Sequence, residues 1–138
     1  PTALIMLDLD RFKRINDSYG HPVGDAVLRA IVEVCKKQLR DSDQIGRMVG
    51  VEFAVLLPRT DIAEAVLVAE RIRAAIESSA VKTERAMINM TASFGVTTIR
   101  ADDSTVSLFK RADQALQAAK QGGRNRVARA AVADAALP

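Results

Sequence analysis

Apolar positions recur along the chain with periods that predict a series of strands and helices. A continuous apolar run at residues 3–9 ends in acids and predicts a buried strand. Apolar side chains recur at helical spacing over residues 24–40, 61–78 and 105–121, so each of these ranges predicts an amphipathic helix. The other predicted elements are a short helix at 11–18, strands at 44–48 and 52–57, a β-rich stretch at 87–99 and a short closing strand at 124–127.

Local signals mark where several of these elements begin and end. Asp25 lies in the first turn of the second helix, where a carboxylate favours the helix N-terminus. Pro58 ends a strand, Asp61 can cap the next helix, and Gly122 with Gly123 closes the last helix. The order βααββαβα with a closing strand predicts an α+β fold, in which helices pack on a largely antiparallel sheet.

Composition supports a single domain with a substantial core. The chain has 138 residues, of which 49% are hydrophobic and 27% charged, and it contains no apolar run near the roughly 18 residues that span a membrane. The single cysteine, Cys35, excludes an internal disulfide and lies on the apolar face of a predicted helix, where it fills the core. We therefore expect a cytoplasmic domain without membrane contact, over residues 1–128, followed by an alanine-rich tail or linker at 129–138.

The charge balance is mildly basic and favours a small anionic ligand. The formal net charge is +3, aromatic residues make up 4% of the chain, and no long run of Lys or Arg occurs. Binding of polymeric nucleic acid is disfavoured, because it usually needs a clustered basic patch with interleaved aromatics.

Acidic residues end the first strand and begin the third. Asp8 and Asp10 alternate and can share one face of a strand, and Glu52 follows a hairpin that can pair beside them. Such carboxylates, together with a backbone carbonyl, suit Mg²⁺ held jointly with substrate phosphates. A simple helix-capping role for the D-x-D pattern remains an open alternative.

Five other polar residues fit a nucleotide. Asn and Asp side chains can read the edge of a guanine base, while Lys and Arg neutralise phosphates. The candidates are Asn16 and Asp25 for the base, and Lys13, Lys120 and Arg124 for the phosphates. For Lys120 and Arg124, a solvated helix end favoured by the helix dipole is the alternative.

The segment GRMVGVEF at residues 46–53 predicts a tight hairpin with an unusual turn. Two-residue hairpin turns favour glycine or asparagine at positive φ, yet Val49 precedes Gly50 here. A β-branched residue at positive φ is strained, so the sequence predicts a strained or shifted turn.

Taken together, these motifs resemble the GGDEF domain, the family of the diguanylate cyclases, which join two GTP molecules into cyclic di-GMP. The resemblance extends over residues 3–127 and rests on LDLDRFKRINDSYGHPVGDAVLR, RMVGVEFAVLLP, ASFGV, ADQAL and AAKQGGRNRV. It implies a five-stranded, mostly antiparallel sheet flanked by helices, as in a polymerase palm or nucleotidyl cyclase. The motif D-x-L-T-G-L-x-N-R-R, which precedes the first strand in most members, is missing from this sequence.

The resemblance assigns roles residue by residue. Asp8 matches the metal-binding aspartate and Leu9 the residue that lends its carbonyl to Mg²⁺, with Glu52 as a further acid at the hairpin. Asn16 and Asp25 match the guanine-recognising pair, and Lys13, Lys120 and Arg124 match the phosphate contacts.

The signature hairpin departs from the family pattern at two of its five positions. The family has Gly-Gly-Asp/Glu-Glu-Phe, and this chain has Val49-Gly50-Val51-Glu52-Phe53. Val49 replaces a glycine that lets the nucleotide approach the backbone. Val51 replaces an acid that binds metal and acts in catalysis, so Glu52 is a remnant of the catalytic set. We expect turnover to be weak or lost.

A second nucleotide site is implied by Arg40-Asp41-Ser42-Asp43. It matches the R-x-x-D product-inhibition motif at the spacing that the family uses, and Arg71 matches the secondary arginine for cyclic di-GMP. A local ion pair between Arg40 and a nearby aspartate is the alternative. The lone histidine, His21, is expected to have a packing or hydrogen-bonding role.

Three hypotheses for function follow. The first is a regulatory module that binds cyclic di-GMP at Arg40, Asp43 and Arg71, or GTP with Mg²⁺ at the old active site. The second is a weak diguanylate cyclase, and the third is a dimerisation or transmission module that binds no nucleotide. The expected partners are these nucleotides together with a second copy of the chain or signalling domains of a larger protein, such as an EAL domain.

Overall fold

A computed structural model describes residues 1–130. These residues form five strands of one sheet, a separate two-stranded ribbon and four helices. Their order is β1 (Thr2–Leu9), α1 (Phe12–Tyr19), α2 (His21–Lys37), β2 (Gln44–Val49), β3 (Glu52–Pro58), α3 (Ile62–Ser78), β4 (Val81–Lys82), β5 (Met87–Ile88), β6 (Ala92–Thr98), α4 (Thr105–Gln121) and β7 (Val127–Arg129).

The main sheet confirms the predicted α+β fold. Its strand order is β2-β3-β1-β6-β7, and β4 pairs with β5 in the ribbon. Strand β1 is antiparallel to both β3 and β6, and β2 is antiparallel to β3. Only the short β7 runs parallel to its neighbour β6 within the described residues. The sheet is therefore five-stranded and mostly antiparallel, as the resemblance implied.

The central strand β1 buries side chains on both faces. Ala3, Ile5 and Leu7 belong to the large apolar cluster that includes buried residues of α1, α2 and α3. Leu4 and Met6 belong to a second cluster with Leu108, Ala112 and Leu116 of α4. Because side chains alternate along a strand, the next even position, Asp8, lies on the α4 face of the sheet.

Element boundaries agree with the predictions at α3 and α4 and differ at α2. The Asp61 side chain caps α3 by accepting a hydrogen bond from the Glu64 N–H at 2.8 Å. Helix α2 begins at His21 instead of residue 24, because Pro22 occupies the first turn, where its missing N–H costs nothing. His21 is therefore the first residue of a helix and is exposed, whereas the sequence placed it in a turn.

Three further comparisons concern the strands, the core and the tail. The ribbon strand β4 was not predicted, and the closing strand lies at Val127–Arg129 instead of 124–127. Cys35 is fully buried, and burial raises its pKa to about 12, in keeping with the predicted role as core filler. Most of the predicted alanine-rich tail lies outside the described residues, which contain no helix long and apolar enough to cross a membrane.

Candidate functional site

A cleft of about 450 Å³ opens where β1 ends, α1 begins, the β2–β3 hairpin turns and α4 ends. Seven of the sequence-predicted site residues line it, together with Asp10, Arg11, Phe12 and Gly50. The seven are Asp8, Leu9, Lys13, Asn16, Val51, Lys120 and Arg124. The structure therefore brings most of the predicted nucleotide-binding residues to one place, although they come from four separate segments.

The carboxylates of Asp8 and Glu52 and the ammonium group of Lys120 lie close together at this cleft. Asp8 lies directly opposite Glu52 in the β1–β3 register, so both side chains lie on the same face of the sheet. Lys120, in the last turn of α4, donates to Asp8 Oδ2 at 2.5 Å. The Asp8 and Lys120 side chains are 14% and 25% exposed, so the ion pair is largely shielded from solvent.

Glu52 has a perturbed acidity. Burial is the main cause that raises its pKa above the usual value, and the negative charges of Asp113 and Asp8 act in the same direction. Lys120 opposes this shift without cancelling it. Glu52 is not among the cleft-lining residues, although it lies beside Asp8 on the neighbouring strand.

This donor set fits the implied Mg²⁺ poorly. Among residues 1–130, no group of three or more Asp, Glu, His or Cys side chains is placed to hold a metal ion. Mg²⁺ demands near-octahedral oxygen ligands, and one of the two available carboxylates already accepts a hydrogen bond from an ammonium group. Val51 stands where the resemblance implies a third acid.

The hairpin turn corrects the prediction made for Val49. Val49 pairs with Glu52, so Gly50 and Val51 are the two central residues of the turn. Only Gly50 has a positive φ there, at 55°, which matches the glycine-first type of two-residue turn. Of the strained or shifted turn predicted from the sequence, the strain at a valine is absent. The Val49 side chain is 78% exposed and does not line the cleft, whereas the half-buried Val51 does.

Asn16, which lines the cleft, has an unsatisfied polar atom. Its Oδ1 is buried and has no hydrogen-bond partner among the described residues. The side chain packs against Gly24 so closely that a Cβ at that position would overlap Asn16 Oδ1. Asp25, the other predicted guanine contact, follows Gly24 on α2 but is exposed and does not line the cleft.

The loop after α4 is held by contacts that the sequence analysis did not identify. Three successive residues, Gly123, Arg124 and Asn125, have positive φ. The Asn125 N–H donates to Asp10 Oδ2 at 3.0 Å, and its side chain accepts from Arg73 and donates to Glu77. This network fixes the backbone from which Arg124 extends into the cleft.

Asp10 is structural rather than a second metal ligand. Besides the Asn125 N–H, its carboxylate accepts hydrogen bonds from Thr91 Oγ1 at 2.6 Å and from Ser93 Oγ at 2.7 Å. The residue is 9% exposed. The D-x-D spacing was visible in the sequence, but the partners Ser93 on β6 and Thr91 just before it become apparent only once β1 and β6 pair.

Within the R-x-x-D segment, Arg40 and Asp43 form a local ion pair. Arg40 Nη2 donates to Asp43 Oδ1 at 2.9 Å, to Pro58 O at 2.7 Å and to Thr60 Oγ1 at 2.9 Å. The Arg40 side chain is 50% exposed and the Asp43 side chain 3%. Arg71 is exposed on α3 and does not line the shallow cleft beside Arg40 and Asp43. The local ion pair left open by the sequence is thus present, and Arg71 is not assembled with it.

Sequence comparison identifies relatives over nearly the whole chain. A sequence model of the family described as "Diguanylate cyclase, GGDEF domain" matches residues 1–126. Diguanylate cyclase A from Treponema denticola is 43% identical over 126 residues, which are 91% of this chain and 34% of that protein. The chain thus spans about a third of the length of that relative.

Solved structures with the same fold include nucleotide and protein complexes. Diguanylate cyclase SiaD from Pseudomonas aeruginosa, in complex with its activator SiaC, has a TM-score of 0.89 at 40% identity, covering 94% of this chain and 50% of that chain. The GGDEF domain of DgcB from Caulobacter crescentus, in complex with c-di-GMP, has a TM-score of 0.87 at 34% identity, covering 93% of this chain and 77% of that one.

Proposed function

Because this chain belongs to the GGDEF family of diguanylate cyclase domains, which act in cyclic di-GMP signalling, we propose that it is a degenerate member that binds guanine nucleotides and converts them weakly or not at all. The observation that carries this proposal is Val51, which lines the cleft where the family pattern has an acid. The cations and the amide suited to GTP remain in the same cleft.

The missing acid matters because of the family reaction. A ribose 3′-hydroxyl attacks an α-phosphate and pyrophosphate leaves, so the transition state needs the hydroxyl activated and the phosphate charge neutralised. A valine side chain accepts no proton and stabilises no charge. Removing one group that acts in the transition state commonly costs on the order of 10²–10³ in rate.

Nucleotide binding requires fewer functional groups than turnover does. The cleft retains an acceptor for the base and cations for the phosphates. Asn16 Oδ1 is a buried acceptor without a partner, and the N–H groups on the edge of guanine would satisfy it. Asp25 would join it after a small movement of its exposed side chain. Lys13, Lys120 and Arg124 line the part of the cleft where the phosphates would lie.

The first prediction tests binding at this cleft. Titration of an α,β-methylene analogue of GTP into the chain should give saturable binding in the calorimeter. Asn16→Ala should weaken it about tenfold or more, because a base donor then loses a buried partner. Asn89→Ala is the matched control, since Asn89 is exposed and does not line this cleft. Equal affinity for the wild type and Asn16→Ala would contradict the assignment of the base site.

We further propose that cyclic di-GMP binds at Arg40 and Asp43, with Arg71 contributing from α3. The support is the half-exposed Arg40 guanidinium, which can turn toward a phosphate or a guanine edge without unfolding its surroundings. The ligand must compete with Asp43, Pro58 and Thr60 for the donors of that guanidinium.

The second prediction tests this regulatory site. Cyclic di-GMP titrated into the chain should bind in the micromolar range, and Arg40→Ala should abolish the binding. Arg14→Ala is the control, because Arg14 is an exposed cation on α1, remote in sequence from this motif. Undiminished binding by Arg40→Ala would move the ligand to the cleft around Asn16. No binding by any variant would favour a dimerisation or transmission module instead.

A weak cyclase is the second candidate function. The observation that favours it is the direct pairing of Asp8 and Glu52 across β1 and β3, which preserves two acids at the reacting edge of the sheet.

A further inference from the structure

We propose that Lys120 replaces the divalent cation of this cleft, so that the domain binds guanosine triphosphate without Mg²⁺. This inference rests on the proposed nucleotide binding at the same cleft and specifies how that binding is regulated: by nucleotide concentration alone and not by the metal. It concerns this chain's own residues, and it follows from three independent features of the site.

The first feature is the position of the ammonium group. Lys120 Nζ bonds to Asp8 Oδ2, an oxygen of the carboxylate to which the family resemblance assigns metal binding. Both side chains are largely shielded, and at such a site the pair is stronger than a surface ion pair. A divalent ion binding to the same oxygen must displace Lys120 or lie against its positive charge.

The second feature is the shortage of ligands for a competing ion. Val51 supplies no oxygen from its side chain, and Asp10 is already occupied by Thr91, Ser93 and the Asn125 N–H. Glu52 lies beside Asp8 on the neighbouring strand, but it does not line the cleft. One carboxylate that is paired with an ammonium group and one that does not line the cleft are a weak donor set for Mg²⁺, which gives up its water ligands reluctantly.

The third feature is the number of basic side chains that line the cleft. Four basic side chains line the cleft against two carboxylates: Arg11, Lys13, Lys120 and Arg124 against Asp8 and Asp10. An ammonium group has three donors, so Lys120 can bond to Asp8 and still donate to a phosphate oxygen, which is the bridging role of the metal. The close packing of α4 on Gly95 holds Lys120 in this place.

The test compares affinity with and without the metal. The α,β-methylene GTP analogue is titrated into the 138-residue chain, once in EDTA and once in excess Mg²⁺. We expect the two dissociation constants to agree within about threefold. Binding that is tenfold or more tighter in Mg²⁺ would overturn the inference and leave the proposed nucleotide binding intact. No binding in either buffer would overturn both.

A pair of lysine variants tests whether Lys120 is responsible for metal-independent binding. Lys120→Met keeps the length and apolar stem of the side chain but removes its charge, so affinity in EDTA should fall at least tenfold and become dependent on Mg²⁺. Lys110→Met is the control, since Lys110 is an exposed lysine on the same helix and does not line the cleft. A Lys120→Met protein with circular dichroism like the wild type, and with the same small metal dependence, would contradict the role of Lys120. If that variant fails to fold, the affinities of the wild type in EDTA and in Mg²⁺ still decide whether nucleotide binding depends on the metal.

Discussion

At the scale of single residues, the cleft is characterised by the uncharged side chain of Val51 and by the contact of Lys120 with Asp8. Val51 removes one carboxylate from the cleft, and the Lys120 ammonium neutralises another at Asp8. Four basic side chains and two carboxylates line the cleft, which suits an anionic ligand better than a cation. This is why we separate binding from turnover in this domain.

The chemistry of most site residues could be predicted from the sequence, but their contacts could not. The replacement of an acid by Val51 is visible in the sequence and remains the basis of the proposal. The expected strain at Val49 was wrong, because the turn shifts by one residue and places Gly50 at the positive φ. The partners of Asp10, and those of Arg40 other than Asp43, come from distant segments, so no local pattern encodes them.

One residue-scale prediction concerns a shielded ion pair outside the cleft. Asp103 accepts hydrogen bonds from Arg111 at 2.6 and 2.9 Å, and this contact, with the backbone N–H of Arg100, holds the pKa of Asp103 well below its usual range. A carboxyl group with a depressed native pKa stabilises the fold above the unfolded pKa of about 3.9, and this stabilisation is lost as the pH falls.

Asp103→Asn should therefore lower the free energy of unfolding at pH 7 by about 2 kcal/mol, since it weakens a buried charge pair. The difference from the wild type should narrow at pH 3.5, because Asp103 of the unfolded wild-type chain then takes up a proton, whereas the variant has no carboxyl group at this position. Urea denaturation at the two pH values measures it, and Asp102→Asn at the exposed neighbouring position is the control. A difference that does not change with pH would show that the charge of Asp103 has no part in stability.

At the scale of elements, the packing of α4 on β6 positions the end of the cleft. Gly95 on β6 faces the α4 backbone so closely that a Cβ there would overlap Leu116 N and Ala112 O. The last turn of α4 carries Lys120, and the following loop carries Arg124. The contact of Gly95 with the α4 backbone thus determines how close Lys120 and Arg124 lie to β1.

Gly95→Ala should move α4 away from the sheet, because the added methyl group meets helix backbone rather than a flexible side chain. We expect a loss of about 1–3 kcal/mol in stability, typical of an overpacked core, and weaker binding of the GTP analogue. Thermal unfolding and calorimetry measure the two effects. Gly46→Ala on β2 should change neither, since an added Cβ there meets no atom within 4 Å. Equal behaviour of the two variants would contradict this role of Gly95.

Most elements could be predicted because their periodicity and end signals agree. Helix α3 has both its apolar stripe and its Asp61 cap, and α4 has the range expected from its pattern. The start of α2 was missed because a proline suggests a turn, although the first helical turn accepts it. The ribbon strand β4 has only two residues, too few for an alternating pattern to emerge.

At the scale of the whole molecule, the residues that stabilise the fold lie on the two faces of the sheet, whereas the cleft lies at its edge. The larger apolar cluster, with buried residues of α1, α2 and α3, and the smaller one with α4 fix the sheet from both sides. The cleft lies at the edge where β1 ends and the β2–β3 hairpin turns, and its residues come from four segments. The two hairpin positions that depart from the family pattern therefore leave the fold of the family intact.

The central claim is that this fold keeps nucleotide binding while Val51 limits turnover. The most direct measurement is cyclic di-GMP formed from GTP and Mg²⁺, quantified by chromatography for the wild type and for the double variant Val49→Gly/Val51→Asp, with Val106→Asp at an exposed position as control. We expect little or no product from the wild type and the control, and about 10²-fold or more from the double variant. Efficient turnover by the wild type, or a double variant that binds nucleotide yet gains no turnover, would contradict the account.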